Sequence, residues 1–276
     1  MNPLSPIFIV SKGRWESRLT SKYLEWMNVP YKIIVEDSEY ENYARVIEPA
    51  KILVLPYDNP EHTSIPARNF AWECAEKMGA KRFWLEDDNI RGFSRLNHNE
   101  SNLVKTGTFF RVMEDFVDRY TNIALACPGY HFMGGGERRK KPPFKLNVGV
   151  YSCMLISTGL PFHFRGIYNE DSDLSIRALK AGFCTLVFHA FLQNKVATMT
   201  MSGGNTSDLY KGNGRQLMAE SLQAQHPDIV KIDKRWNRYQ HVVDYKVFKD
   251  NKLMKKPGLE IPDHINDYGM KLVEQS

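Results

Sequence analysis

An α/β fold with a mostly parallel central sheet flanked by helices is what this sequence predicts, and three observations carry the expectation. Short apolar runs alternate with helix-patterned stretches through the first two thirds of the chain, as in repeated strand–helix–strand units. Two helical stretches stop at Gly79 and Gly182, and glycine takes the left-handed conformation that ends a helix without steric cost. With 276 residues, 42% of them hydrophobic, the chain can bury one large core.

The strand candidates, in order, are Ile7–Val10, Tyr31–Val35, Ile52–Leu55, Arg82–Leu85, Ile123–Cys127, Val148–Ile156 and Thr185–Phe188. Helices are expected over Glu16–Met27, Pro66–Met78, Thr108–Arg119 and Asp171–Lys180. From about Asn194 the pattern shifts to Gly, Asn, Lys and aromatic residues, with one clear helix near Asn213–Gln225. The expected organisation is a core over 1–193 with an irregular C-terminal extension over 194–276 packed on it and contacting the protein's macromolecular partner.

No apolar run approaches the roughly 18–20 residues of a membrane span, and the N-terminus lacks a signal-peptide pattern. An intracellular protein without a membrane partner is expected. Cys74, Cys127, Cys153 and Cys184 are widely spaced and read as free buried thiols. The 37 basic and 32 acidic residues leave a formal +5, which suits an anionic partner without requiring one. Neither G-x-G-x-x-G nor G-x-x-x-x-G-K-[ST] occurs, which argues against dinucleotide-binding and P-loop enzymes. A nucleotidyltransferase is disfavoured because no Gly-rich phosphate loop precedes a lysine near the N-terminus.

The strongest chemical signal is Phe83-Trp84-Leu85-Glu86-Asp87-Asp88, an apolar strand that runs into three carboxylates. At the carboxyl end of a parallel strand such acids lie where open sheets bind ligands, and Mg²⁺ or Mn²⁺ favours carboxylates plus substrate phosphates. An acidic turn capping the next element is the competing reading. The first strand ends in Ser11-Lys12-Gly13-Arg14, a place for a first ligand loop, and the second in Glu36, able to accept from a ribose or base. Glu170, Asp171 and Asp173 fall in the first turn of a helix, where the macrodipole favours acids, so capping competes with catalysis there. Lys195 and the Gly203-Gly204 loop offer a cation and approachable N–H groups for a diphosphate, with a tolerant surface loop as the alternative.

Two segments suit a polyanion. Gly134–Lys145 includes Arg138, Arg139, Lys140 and Lys141, for a local +4. Further on, Lys231, Lys234, Arg235 and Arg238 interleave with Trp236, Tyr239 and His241, so bases could stack while cations meet phosphates. Solvated basic loops are the competing reading of both.

Ile65-Pro66-Ala67-Arg68-Asn69-Phe70-Ala71, followed by a helix and the acidic strand end, resembles the GT-A glycosyltransferases. The resemblance implies that Arg68 faces the nucleotide. It also implies that Asp88, with Glu86 or Asp87, engages a divalent metal or the ribose, with His189 as a third metal ligand. The Asn169-Glu170-Asp171-Ser172-Asp173 block is similar to the segment that supplies a general base in those enzymes, which implies Asp171 in that role, with Glu170 close behind.

Asp87-Asp88-Asn89-Ile90, Gly203-Gly204-Asn205 and Lys234–Tyr245 together look like the TET-associated glycosyltransferases of bacteriophages, over about Ile7 to Leu253. That resemblance implies transfer from a UDP-sugar to 5-hydroxymethylcytosine in phage DNA, in the cytoplasm of an infected bacterium. The competing functions are a transferase acting on protein, lipid or glycan, and a non-catalytic nucleic-acid-binding protein of similar fold.

Overall fold

The computed structural model describes residues 1–57, 59, 63–97, 100–131, 142–197, 200–204, 213–235 and 238–260. Its centre is a ten-stranded mixed sheet. The first half is β1 (Ile7–Val10), α1 (Leu19–Trp26), β2 (Lys32–Val35), α2 (Tyr40–Ala44), β3 (Ile52–Val54), α3 (Ile65–Lys77) and β4 (Arg82–Asp87). β5 (Ile90–Asn97), β6 (Glu100–Leu103), α4 (Thr108–Val117), β7 (Ile123–Tyr130) and β8 (Phe144–Leu146) follow. The chain then forms β9 (Cys153–Ser157), α5 (Glu170–Lys180), β10 (Cys184–Lys195), α6 (Gly214–Gln225) and a hairpin of β11 (Val230–Arg235) and β12 (Arg238–Val243).

The sheet order is β3-β2-β1-β4-β9-β7-β10-β5-β6, with β8 added on β10. β5, β8 and β9 run against the other strands. β2 and β4 lie on opposite sides of β1, both parallel to it, so the strand order reverses there. A crevice opens beyond the carboxyl ends of strands at such a switch point, and ligands bind in it.

Strict alternation sorts the side chains between the two faces. Ile7, Ile9, Ile33, Val35 and Trp84 join one cluster with Leu24 of α1 and Phe109, Phe110 and Met113 of α4. Phe8, Ile34, Phe83 and Leu85 join the other with Trp72 of α3 and Leu174 and Ala178 of α5. A third cluster fastens α6 and the hairpin to α5 through Ile176, Leu179, Leu222, Val230 and Phe248. Among the described residues no helix is long and apolar enough to cross a membrane. All four cysteines are free; Cys127, Cys153 and Cys184 are buried and Cys74 is partly so.

Three expectations are corrected. Val148–Ile156 is not one strand, because Ser152 has φ +66° and pairing begins at Cys153. The last expected strand continues past Phe188 to Lys195, through a register shift against β7 between Phe188 and Leu192. The segment after 194 is less irregular than expected, since Val230–Arg235 and Arg238–Val243 pair antiparallel.

The buried Glu114 carboxylate of α4 accepts from Leu4 N at 2.8 Å, Ser5 N at 3.0 Å and Trp84 Nε1 at 2.9 Å. Glu114→Ala would strand three donors, two of which fix the segment leading into β1. It is expected to cost about 3 kcal/mol in urea unfolding, at the upper end for lost buried hydrogen bonds.

Candidate active site

The cavity at the switch point has a volume of about 480 Å³, within the range of small-molecule sites. Parallel β1, β4, β7 and β10 deliver the residues at their carboxyl ends to it, and antiparallel β9 delivers those just before its start. α3 and α5 close one side.

Asp87 is the hub. Its Oδ1 accepts from Arg68 Nη2 at 2.8 Å and its Oδ2 from Lys195 Nζ at 2.7 Å. Burial opposes ionisation of Asp87, but the Lys195 ammonium and Arg68 guanidinium outweigh it and hold the carboxyl far below its ordinary range. Lys195 Nζ also donates to Ser152 Oγ at 2.7 Å, and that hydroxyl lies 2.8 Å from Tyr130 Oη. Arg68 Nε lies 3.0 Å from Glu170 Oε1, which also accepts from Ser64 Oγ at 2.8 Å.

Asp88 is tied to the loop after β1. Arg14 Nη1 donates to its Oδ1 at 2.5 Å and Ser11 Oγ to its Oδ2 at 2.7 Å. Burial still raises the Asp88 pKa, against the pull of Arg14 and Ser11. Arg14 reaches onward to Ser202 O and Gly203 O at 3.0 and 2.9 Å. The two glycines permit this approach, since a Cβ on Gly203 would stand 2.5 Å from Gly13 O and one on Gly204 2.7 Å from Arg14 Nη2. Gly204 N donates to Lys12 O, so that N–H is spent inside the protein. Lys12 Nζ donates to Glu36 Oε1 at 3.0 Å, and Asn59 Nδ2 donates to the same oxygen at 2.9 Å.

Asp171 sits in the first turn of α5, where Ser172 N donates to its Oδ1 at 2.7 Å. Burial, reinforced by Glu170, raises its pKa to about 7, against Arg68 and Lys195. Asp173 is elsewhere: fully buried, it accepts from Arg165 and Arg177 and pairs with His226, pinning α6 against α5.

The cavity thus gathers Ser11, Lys12, Arg14, Glu36, Arg68, Asp87, Asp88, Glu170, Asp171, Lys195 and Gly204. Two expected metal ligands are not among them. Glu86 alternates with Asp87 and so points to the α1/α4 side, 0% exposed, its Oε1 3.8 Å from Cys153 Sγ, and burial raises its pKa to about 8. His189 lies within β10 six residues short of its cavity end, its Nδ1 3.0 Å from Pro142 O. Arg138, Arg139, Lys140, Lys141 and Trp236 lie outside the described residues, as does the side chain of Arg235; Arg238 is exposed on β12.

Tyr130, Tyr151 and Ser152 were not anticipated, and His241, read with the late basic-aromatic segment, lies at the cavity. Tyr130 and Tyr151 stack with rings 15° apart and, with His241 of β12, line the cavity. Apolar strand patterning does not point to Tyr130, Tyr151 or Ser152, because each lies at or beyond a strand end.

The TET-associated glycosyltransferase family model matches residues 5–204, most of the chain and every element of this cavity except α6 and the hairpin. The chain belongs to that family. No curated protein matches it. Of solved structures, a nucleotide-diphospho-sugar transferase candidate from Desulfovibrio desulfuricans G20 is 12% identical, covering 81% of this chain and 98% of that one, with a TM-score of 0.41. A mannose-6-phosphate isomerase from Helicobacter pylori is 11% identical, covering 92% and 95%, with a TM-score of 0.28. The protein is a glycosyltransferase by family membership, and its cavity is the candidate site for a nucleotide-sugar donor.

Glu86 outside the cavity has a measurable consequence. Its folded pKa is raised from 4.5 to about 8, so its stabilising contribution is fully present below 4.5 and is lost as pH rises through about 8. Glu86→Gln is expected to flatten the decline of melting temperature between about pH 5 and about pH 9 while leaving sugar transfer intact. Loss of transfer in a folded Glu86→Gln variant would return that carboxyl to the site.

Proposed function

We propose that this glycosyltransferase moves a sugar from a UDP-sugar to the hydroxymethyl group of 5-hydroxymethylcytosine in DNA, with Asp171 as general base. One observation carries the reading: a partly buried carboxyl, Asp171, with its pKa raised to about 7, stands in the same cavity as four cationic side chains able to face a diphosphate. A base works best when its pKa lies near the working pH. In the transfer, Asp171 takes the proton of the acceptor hydroxyl as that oxygen bonds to the anomeric carbon. The bond from that carbon to the diphosphate oxygen breaks, and its electron pair leaves with UDP. Glu36, beside Asn59 at the end of β2, suits the ribose or base of the nucleotide.

The DNA acceptor draws support from the family's TET association and from the hairpin. His241 lines the cavity, and Tyr239, two residues along β12 and therefore on the same face, is exposed with Lys234 Nζ 5.5 Å from its ring centre. A cation beside an exposed aromatic ring suits a phosphate next to an unstacked base. Arg238, exposed on β12, would extend that contact, and the charge of residues 138–141 suits the same polyanion.

A divalent ion at the strand-end acids fits the cavity poorly. Both oxygens of Asp87 and both of Asp88 already accept from protein donors, and Glu86 faces the other side of the sheet. No step here is therefore routed through a metal.

Incubation of 5-hydroxymethylcytosine DNA with the protein and a panel of UDP-sugars, in buffers with and without Mn²⁺, is expected to add the mass of a hexose or N-acetylhexosamine to that nucleoside. UDP binding with no gain from any donor would move the acceptor to protein, lipid or glycan. Asp171→Asn is expected to lower kcat by about 10²- to 10⁴-fold while UDP affinity stays within about twofold. Because Asp171 must be unprotonated to act, wild-type kcat should climb with pH through about 7 and then level off. A flat profile would remove it from that role.

A further inference from the structure

Resting on the donor assignment above, we infer that the diphosphate is bound and its departing charge met by Lys195 and Arg68 without a divalent metal, with Ser152 as the residue that positions Lys195. Four observations carry this. Every oxygen of the carboxylates nearest the expected metal position already accepts from a protein donor: Asp87 from Arg68 and Lys195, Asp88 from Arg14 and Ser11. A metal there would compete with three short charge-assisted pairs that neutralise these acids, and such pairs are costly to break.

The second observation is the backbone at Ser152. This residue is 2% exposed and holds φ +66°, a conformation strained for any side chain. The strain is matched by what it achieves. The Ser152 carbonyl accepts from Asp87 N at 2.8 Å, and its hydroxyl meets Lys195 Nζ at 2.7 Å. The ammonium is thereby gripped from two sides, by Asp87 and Ser152, at the cavity end of β10. Tyr130 Oη on the same hydroxyl fixes the grip in place.

Third, Arg68 lines the cavity while only 6% exposed, and its buried Nη1 has no hydrogen-bond partner among the described residues. A guanidinium with a donor left over is costly in isolation, and an anion bound in the cavity offsets that cost. Fourth, the transfer step itself demands such cations. When the bond between the anomeric carbon and the diphosphate oxygen breaks, its electron pair stays on that oxygen and UDP leaves with one more negative charge than it carried in the donor. The acceptor's proton goes to Asp171. Lys195 and Arg68, preorganised by Asp87, stand ready to stabilise the new charge with little reorganisation.

The test is calorimetric titration of the full chain with UDP, once in excess EDTA and once in Mn²⁺. Equal affinities within about twofold are expected. In EDTA, Lys195→Ala should weaken UDP by about tenfold or more, the scale of one charge-assisted hydrogen bond, while Lys195→Arg restores part of the loss. Ser152→Ala, which keeps the strand but drops the hydroxyl, should raise the Kd for UDP several-fold and lower kcat at saturating donor, whereas a purely structural role would move only the melting temperature. UDP binding that needs Mn²⁺ would overturn this inference and leave the transferase reading intact. No UDP binding in either buffer would overturn the donor assignment and this inference with it. The wild-type comparison needs no variant, so a misfolded Lys195→Ala does not blunt the result.

Discussion

The Arg68–Asp87–Lys195 ion triplet is the interaction on which the site depends. Arg68 lies 19 residues before Asp87 and Lys195 lies 108 residues after it, so one carboxylate joins α3, β4 and β10 at a single point. Buried charges are tolerated only when paired. Each member of the triplet therefore fixes the other two, and the network spreads through Ser152 to β9 and through Glu170 to α5. The cavity is held in shape by the same charges that would face a substrate.

Placement at the strand-order reversal explains why one edge of the sheet collects the chemistry. Parallel strands present their carboxyl ends together, and β9, inserted against them, contributes the residues before its start. The opposite edge carries structural ties of another kind, such as the Glu114 clasp on Leu4 and Ser5. Function and fastening are thus segregated to opposite ends of the same strands.

Much of this is legible in the sequence. The apolar runs at Ile7 and Arg82 mark β1 and β4, and their polar continuations, Ser11 to Arg14 and Asp87-Asp88, do converge. Alternation could also have separated Glu86 from Asp87, since Glu86 keeps step with the buried Trp84. The reading of His189 failed for a different reason. The strand pattern fades at Phe188, but β10 continues through a shifted register, so the residue that reaches the cavity is Lys195. Such an irregularity is set by the neighbouring β7 and β5, not by the local sequence. Ser152 and Tyr151 were hidden for a related reason: an apolar run from Val148 to Ile156 reads as a continuous strand, and only tertiary pairing shows the break. The hairpin was missed because its strands, Val-Lys-Ile-Asp-Lys-Arg and Arg-Tyr-Gln-His-Val-Val, are rich in polar residues and carry no long apolar run.

The left-handed backbone at Ser152 couples strain to chemistry. Glycine would adopt that conformation without strain. It would also delete the hydroxyl that joins Tyr130 to Lys195 and leave both without that partner. Conformational relief and polar loss thus oppose each other at one residue, and only a side chain bearing a hydroxyl there keeps the lysine aimed at the cavity.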